Sequence, residues 1–137
     1  MKQGTRALIV EDDRAWQKRL QRHLESQGLT VDIAADLAEI RYLLETRTYI
    51  LVTVDINLAE NDPHNQDGVE VLKLLHQKGI TAIIIRSSGE NTPQASKQAL
   101  ETKYNPLAYF LKYRYNAHEF RATVQSVLAA NSEDFDG

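Results

Sequence analysis

Side chains that can do chemistry occur at four separated places in this chain, each at the end of a short, mainly apolar run. They are Glu11, Asp12 and Asp13 at the first place, Asp55 at the second, Ser87 at the third and Lys112 at the fourth. Carboxylates, one hydroxyl and one ammonium together suit a hard divalent cation and a phosphoryl group. This chemistry requires the four places to lie close together in the folded chain.

The apolar runs are predicted to be strands that bring these places together. Short apolar runs alternate with amphipathic segments, five of each, which is typical of β-α units built on a parallel sheet. The strands are predicted near residues 6–10, 29–34, 49–55, 82–87 and 107–111. Because ligands bind outside the carboxyl ends of the strands in an open parallel sheet, the four places are expected to form one site.

The pattern within each run predicts the position of the strand in the sheet. Residues 29–33 alternate apolar with polar side chains, which indicates an edge strand exposed on one face. Residues 50–54 and 82–85 are apolar almost throughout, which indicates central strands that are buried on both faces.

The intervening segments carry helix signals. Asp13 is predicted to cap the first helix and Gly28 to end it. The third helix is predicted to follow Asp67 and Gly68, and the fourth to open at residues 92–93. The fifth is predicted to bury Phe120, Val124, Val127 and Leu128. Residues 131–137 are predicted to be a frayed polar tail.

Composition narrows the class of protein. The 137 residues suffice for one domain but not two, so residues 1–130 are assigned to a single domain. The absence of cysteine excludes a disulfide framework and favours a reducing cytoplasm. No apolar run is long enough to span a membrane, and the formal net charge of −3 removes the electrostatic argument for nucleic-acid binding.

Five motifs in order resemble the receiver domain of two-component response regulators. The similar segments are residues 8–13, 54–58, 67–72, 84–88 and 109–112, within a resemblance that covers roughly residues 6–130. No single motif is specific, but their order and intervals are. The resemblance implies a flavodoxin-like α/β fold, a doubly wound five-stranded parallel sheet of order 2-1-3-4-5 with five flanking helices. That order agrees with the edge position inferred for the second strand.

The same resemblance implies a phosphorylation site, and charge and reach suggest the same roles. Asp55 is the expected phosphoacceptor nucleophile, with Lys112 and Ser87 contacting phosphoryl oxygens. Mg²⁺ is the expected cofactor. Its expected ligands are Asp12, Asp55, the backbone carbonyl of Asn57 and, through water, Glu11.

The resemblance also implies a switch and a partner surface. Phosphorylation is expected to draw Ser87 inward and let Tyr109 rotate from an exposed to a buried position. The expected donor is a sensor histidine kinase or a phosphotransfer protein. The fourth helix, fifth strand and fifth helix are expected to bind an effector or a second copy. The expected surface includes Tyr104, Tyr109, Tyr113, His118 and Arg121.

Each assignment has a simpler alternative. Asp13 is interpreted as a helix cap rather than a ligand. Taken singly, Ser87 fits a turn, Lys112 a solvated surface residue and Tyr109 an aromatic that covers the sheet edge. The four histidines, at positions 23, 64, 76 and 118, lack metal-ligand spacing and are predicted to be solvated.

Three departures from the family pattern predict altered behaviour. Residues 58–66 form a loop longer than the usual turn, which is either a partial lid or a neutral insertion. Tyr113 follows Lys112 where the family has proline, which favours a trans peptide bond. Arg86 replaces an aliphatic residue, and a guanidinium cannot be deeply buried without a partner.

These observations leave three functions open. The favoured one is a phosphoacceptor receiver, a signalling domain rather than an enzyme. The first alternative is a receiver fold that binds partners without phosphorylation. The second is a magnesium phosphatase of the haloacid dehalogenase type, which wants a second acid at the position held by Asn57.

Overall fold

The computed structural model describes residues 5–56, 67–87 and 101–136, with the side chains of Asp67 and residues 131–136 left out. Three sequence predictions lie outside these residues. They are the Asn57 ligand, the 58–66 loop and the start of the fourth helix at residues 92–93.

Five parallel strands form the sheet that the sequence predicts. They are β1 Arg6–Val10, β2 Thr30–Ala34, β3 Leu51–Asp55, β4 Ile83–Ser87 and β5 Ala108–Leu111. The order across the sheet is β2-β1-β3-β4-β5, which confirms the predicted 2-1-3-4-5 topology. Every residue of β3 and β4 is buried, whereas β2 is largely half-exposed, as predicted for central and edge strands.

Helices connect the strands and cover both faces. The described helices are α1 Arg14–Glu25, α2 Leu37–Thr46, α3 Asp67–Gln77, a segment α4 at residues 101–104, and α5 Ala117–Asp136. A single 3₁₀ turn, Lys112–Arg114, follows β5. The backbone is helical through residues 131–136, so the frayed tail predicted for this segment is corrected.

The first helix begins where the sequence predicts. The Asp13 carboxylate accepts hydrogen bonds from the backbone N–H groups of Ala15 at 2.8 Å and Trp16 at 3.2 Å, which confirms Asp13 as the N-cap. Gly28 has a φ of +90° just beyond the helix, a conformation that glycine adopts without strain.

Two apolar layers hold the sheet between its helices. One includes Ile40, Leu72 and Leu75 from α2 and α3, packed on Val52 and Ile85. The other includes Leu20 from α1 and Phe120 and Val124 from α5, packed on Ile9 and Ile84. Val127 and Leu128 are only partly buried against this second layer.

The strand register places the chemical residues at one edge. Val10 pairs with Val54, Asp55 with Arg86, and Ser87 with Leu111. Glu11 follows β1 and Lys112 follows β5. The four places found in the sequence therefore meet at the carboxyl end of the sheet.

Candidate functional site

Three carboxylates converge beyond the ends of β1 and β3. Glu11, Asp12 and Asp55 each offer an oxygen, and these oxygens lie within 4.8 Å of one another. Glu11 and Asp55 are fully buried, whereas Asp12 is exposed. The cluster thus has a buried floor and a side open to solvent. Its hard oxygen donors are those that a divalent cation prefers.

Lys112 reaches two of these acids from the end of β5. Its Nζ donates to Asp55 Oδ2 at 3.1 Å and lies 3.1 Å from Glu11 Oε1. The lysine side chain is only 13% exposed. An ammonium so enclosed holds both carboxylates together and can neutralise charge that is added beside them.

Arg86 supplies a second cation beneath the acids. Its side chain is fully buried, and Nη1 forms an ion pair and hydrogen bond with Glu11 Oε1. Nη2 donates to the carbonyl of Val10 at 3.0 Å and to Thr53 Oγ1 at 3.4 Å. The prediction that Arg86 needs a partner is confirmed, and the partner is Glu11.

These contacts set the protonation of the pocket. Burial and then the charge of Glu11 raise the pKa of Asp55 to about 7, against the attraction of Lys112 and Arg86. Burial alone would raise the pKa of Glu11, but Arg86 and Lys112 outweigh it and lower that pKa. The pKa of Lys112 is raised because Asp55 and Glu11 outweigh the effect of its burial.

The turn between β1 and α1 divides the three consecutive acids among different partners. The backbone N–H of Asp13 donates to Glu11 Oε2 at 3.2 Å. Gln17 Nε2 donates to the carbonyl of Glu11 at 2.6 Å. Asp13 caps α1, so only Glu11 and Asp12 of the three join Asp55.

The predicted switch residues lie on the neighbouring strands. Ser87 is fully buried at the end of β4. Tyr109 is half-buried and packs against the layer that contains Ile85 and Leu72. The Lys112–Tyr113 peptide bond is trans, as the missing proline suggested, and the Tyr113 side chain is 70% exposed.

The predicted partner surface needs one correction. Tyr104 is only 8% exposed and belongs to the apolar core, because α4 packs its ring inward near His76. His118 and Arg121 are exposed on α5, as expected.

Sequence reasoning missed an aromatic cluster beside the site. Trp16 contacts Tyr115 edge-on at 5.2 Å between ring centroids, and Lys112 Nζ lies 5.6 Å from the Trp16 ring centroid. His23 stacks on Tyr115, and its Nδ1 lies 2.6 Å from the tyrosine oxygen. His23 is therefore half-buried and bonded rather than solvated, which corrects the prediction. Tyr115 lies between β5 and α5 and is 92 positions from His23, so no local pattern signals this contact.

Gly68 is a second residue whose structural role the sequence did not reveal. A Cβ at this position would meet the carbonyl oxygen of Ile56 and lie 2.6 Å from its carbonyl carbon. Ile56 directly follows Asp55, so the close approach of α3 to the end of β3 requires glycine here.

The chain matches a known family and known folds. The profile of the family described as "Response regulator receiver domain" matches residues 7–125. The TorCAD operon transcriptional regulatory protein TorR from Escherichia coli K12 is 30% identical over 78 residues, which are 57% of this chain and 32% of that protein. The match thus spans about a third of this curated relative.

Solved structures resemble the fold over almost all of the chain. A CheY-like response regulator receiver domain protein from Methanospirillum hungatei JF-1 has a TM-score of 0.77 at 23% identity and covers 96% of this chain and 99% of that one. A response regulator from Burkholderia pseudomallei with a phosphorylated aspartic acid, calcium ion and citrate has a TM-score of 0.69 at 21% identity. It covers 94% of this chain and 72% of that one. Within the described part of the chain, no helix has the length and apolar character needed to cross a membrane.

Proposed function

This chain belongs to the response regulator receiver domain family, and we propose that Asp55 accepts a phosphoryl group from a phosphohistidine on a partner protein. A carboxylate oxygen of Asp55 attacks phosphorus, the N–P bond breaks, and the electron pair of that bond leaves with the histidine. The product is an acyl phosphate on Asp55. The chain is then a signalling domain that takes part in its own phosphorylation rather than an enzyme acting on a separate substrate.

One observation carries this proposal: Asp55 is a buried carboxylate within 3.1 Å of the Lys112 ammonium and in the same cluster as Asp12. Attack of one anion on another requires positive charge between them and a fixed direction of approach. Lys112 supplies a cation that one phosphoryl oxygen can contact. Ser87, at the end of the adjacent strand, can donate its hydroxyl hydrogen to another.

The donor set fits Mg²⁺, which binds through one or two carboxylates and keeps several waters. Asp12 and Asp55 would hold the ion directly, and the backbone carbonyl of Asn57 is the proposed third ligand. When bound, the ion would offset the repulsion between the carboxylate and the incoming phosphoryl group. The exposed side of the cluster at Asp12 leaves room for its waters.

The protonation of Asp55 also bears on this function. Its pKa of about 7 without a cation means that a proton competes for the attacking oxygen at neutral pH. Positive charge beside Asp55 favours the ionised form. Cation binding and activation of the nucleophile are therefore coupled.

The proposed donor is a sensor histidine kinase or a phosphotransfer protein. The proposed output surface is formed by β5, the 3₁₀ turn after it and the exposed face of α5, where Tyr113, His118 and Arg121 are accessible. An effector or a second copy of the chain would bind there when Tyr109 changes position. TorR is described as a transcriptional regulatory protein, and a comparable output for this chain is part of the proposal.

The second candidate is a receiver fold that binds partners without phosphorylation. The buried Arg86 favours this second candidate, because its guanidinium forms an ion pair with Glu11, one of the three acids of the cluster. Asp55 and Lys112, both in place, favour the first candidate.

Binding of beryllofluoride, which mimics a phosphoryl group on aspartate, separates the two. With Mg²⁺ present, we expect beryllofluoride to bind the wild-type protein and alter Trp16 fluorescence, and to leave Asp55→Asn unchanged. Wild-type protein that binds Mg²⁺ but not beryllofluoride would support the phosphorylation-independent module instead.

A further inference from the structure

Both oxygens of the Glu11 carboxylate are already bonded within the protein. Oε1 accepts from Arg86 Nη1 and lies 3.1 Å from Lys112 Nζ. Oε2 accepts from the backbone N–H of Asp13 at 3.2 Å and from Lys112 Nζ at 3.4 Å. Three separate donors thus hold a carboxylate that lies beside Asp12 and Asp55.

Arg86 is fixed in place on the side away from solvent. Its guanidinium bonds to Glu11, to the carbonyl of Val10 and to Thr53, and its own carbonyl accepts from the N–H of Ile56 at 2.8 Å. Removing one partner of a buried ion pair leaves the other charge uncompensated, so the Arg86–Glu11 pair resists separation. Glu11 therefore cannot turn toward a cation at the Asp12 side without exposing Arg86 to that penalty.

We propose that Arg86 is a positioning residue that commits Glu11 to the protein interior, so that a divalent cation is held through Asp12 and Asp55 with little help from Glu11. This inference rests on the cation site proposed above, and it identifies Arg86 as a residue that sets the affinity of that site for a divalent cation. Because Arg86 holds Glu11 away from the ion, the cluster binds a metal ion more weakly than three available carboxylates would.

Arg86→Met tests this by removing the guanidinium while keeping an unbranched chain of similar reach. Freed from Arg86, Glu11 becomes available to the ion. Mg²⁺ titration followed by Trp16 fluorescence should then show an affinity increase of at least about tenfold, the scale on which a ligand's outer contacts alter metal binding. The Mg²⁺-induced rise in melting temperature should also be larger than in the wild type. Arg86→Lys, which keeps the charge, should retain most of the low wild-type affinity.

The double variant separates positioning from simple charge repulsion. In a Glu11→Gln background, Arg86→Met should change Mg²⁺ affinity by less than about threefold, since Glu11 can no longer respond. An equal increase in both backgrounds would show that Arg86 only repels the ion, and would overturn the proposal. An unchanged or lower affinity in Arg86→Met would overturn it as well.

The wild-type protein offers a test that does not depend on folding of the variants. Arg86 guanidinium N–H signals in nitrogen-15 NMR spectra should stay protected from solvent exchange at saturating Mg²⁺. Loss of that protection would mean that the ion takes Glu11 from Arg86, and would overturn the proposal. Mg²⁺ binding that is undetectable in the wild type and Arg86→Met, or indifferent to Asp12→Asn, would instead overturn the proposed cation site itself.

Discussion

Asp55 combines burial with contacts to groups of both signs. Lys112 lies 3.1 Å from its carboxylate and favours the ionised form, whereas burial and Glu11 favour the protonated form. Any change in the charge around this residue therefore shifts the balance between its ionised and protonated forms. The neighbouring side chains Lys112 and Glu11 therefore help to set the pKa of the proposed phosphoacceptor.

Two adjacent acids allow a charge-matched test of the cation site. Asp12→Asn should weaken Mg²⁺ binding by about tenfold or more, because it removes a proposed ligand. Asp13→Asn removes the same charge but keeps a side chain that caps α1, so it should weaken binding by less than about threefold. Trp16 fluorescence during Mg²⁺ titration measures both. Equal losses of Mg²⁺ affinity in the two variants would show that Asp12 is not the specific ligand proposed.

The pKa of Asp55 predicts how stability depends on pH. In the unfolded chain its carboxyl ionises near pH 4, whereas in the folded protein it keeps its proton up to about pH 7. The unfolded state therefore binds fewer protons between these values, and this group makes the free energy of unfolding fall as pH rises from about 4 to about 7. Each unit of pKa difference corresponds to about 1.4 kcal/mol, which sets the scale at a few kcal/mol.

Urea unfolding of the wild type and Asp55→Asn without divalent ions isolates this contribution. The stability of the wild type relative to the variant should decline across that pH range, and Mg²⁺ should reduce the decline. Parallel pH profiles for the two proteins would contradict the raised pKa.

The sequence predicted which residues form the site better than it predicted which side chains they contact. Asp12, Asp55, Ser87 and Lys112 stood out because each follows an apolar run, and the topology of a parallel sheet then brings them together. The Arg86–Glu11 pair joins residues 75 positions apart through side-chain conformations that no local pattern encodes. The sequence indicated only that Arg86 needs a partner.

The contact between α3 and the end of β3 lies directly beside Asp55. Gly68 permits the first turn of α3 to touch the backbone of Ile56. No side chain fits between the Gly68 backbone and the Ile56 backbone, so the start of α3 packs directly against the residue that follows Asp55.

Gly68→Ala should disturb the site through this contact. The added Cβ meets backbone atoms that cannot move aside, so we expect a loss of about 1–3 kcal/mol in stability and a weaker Mg²⁺ site. Gly79→Ala is the control, since its φ of +78° costs about 1 kcal/mol but its Cβ meets no atom within 4 Å. Urea unfolding and Mg²⁺ titration measure the two effects. Unchanged Mg²⁺ affinity in Gly68→Ala would show that Asp55 is positioned independently of α3.

The strands and the cap of α1 were predictable because their signals are local: apolar runs, alternation and an acid before a helix. Tyr104 and His23 were misplaced because their burial depends on contacts with residues distant in sequence, His76 and Tyr115. The end of α5 was placed too early, since polar composition alone does not end a helix.

β5 belongs to the proposed output surface, and its carboxyl end leads directly into the site. Ser87 ends β4, Lys112 directly follows β5, and Tyr109 lies within β5. β5 and the 3₁₀ turn after it therefore connect the proposed phosphoryl site to Tyr113 and α5.

Hydrogen exchange with and without beryllofluoride and Mg²⁺ tests this route. We expect altered amide exchange in residues 87–91 and 109–113, with little change in α2, because only the first two segments adjoin Ser87 and Tyr109. Changes confined to residues 11–13, 55 and 58–66 would indicate signalling through the long loop instead.

Intact-mass spectrometry after incubation with a small phosphodonor and Mg²⁺ shows whether Asp55 is the phosphoacceptor. The wild-type mass should rise by one phosphoryl group, because Asp55 is buried in the acidic cluster and contacts Lys112, whereas the other buried acid of the cluster, Glu11, is paired with Arg86. Asp55→Asn should show no rise, and Asp13→Asn should be labelled like the wild type. Labelling of Asp55→Asn at the wild-type rate would show that Asp55 is not the phosphoacceptor.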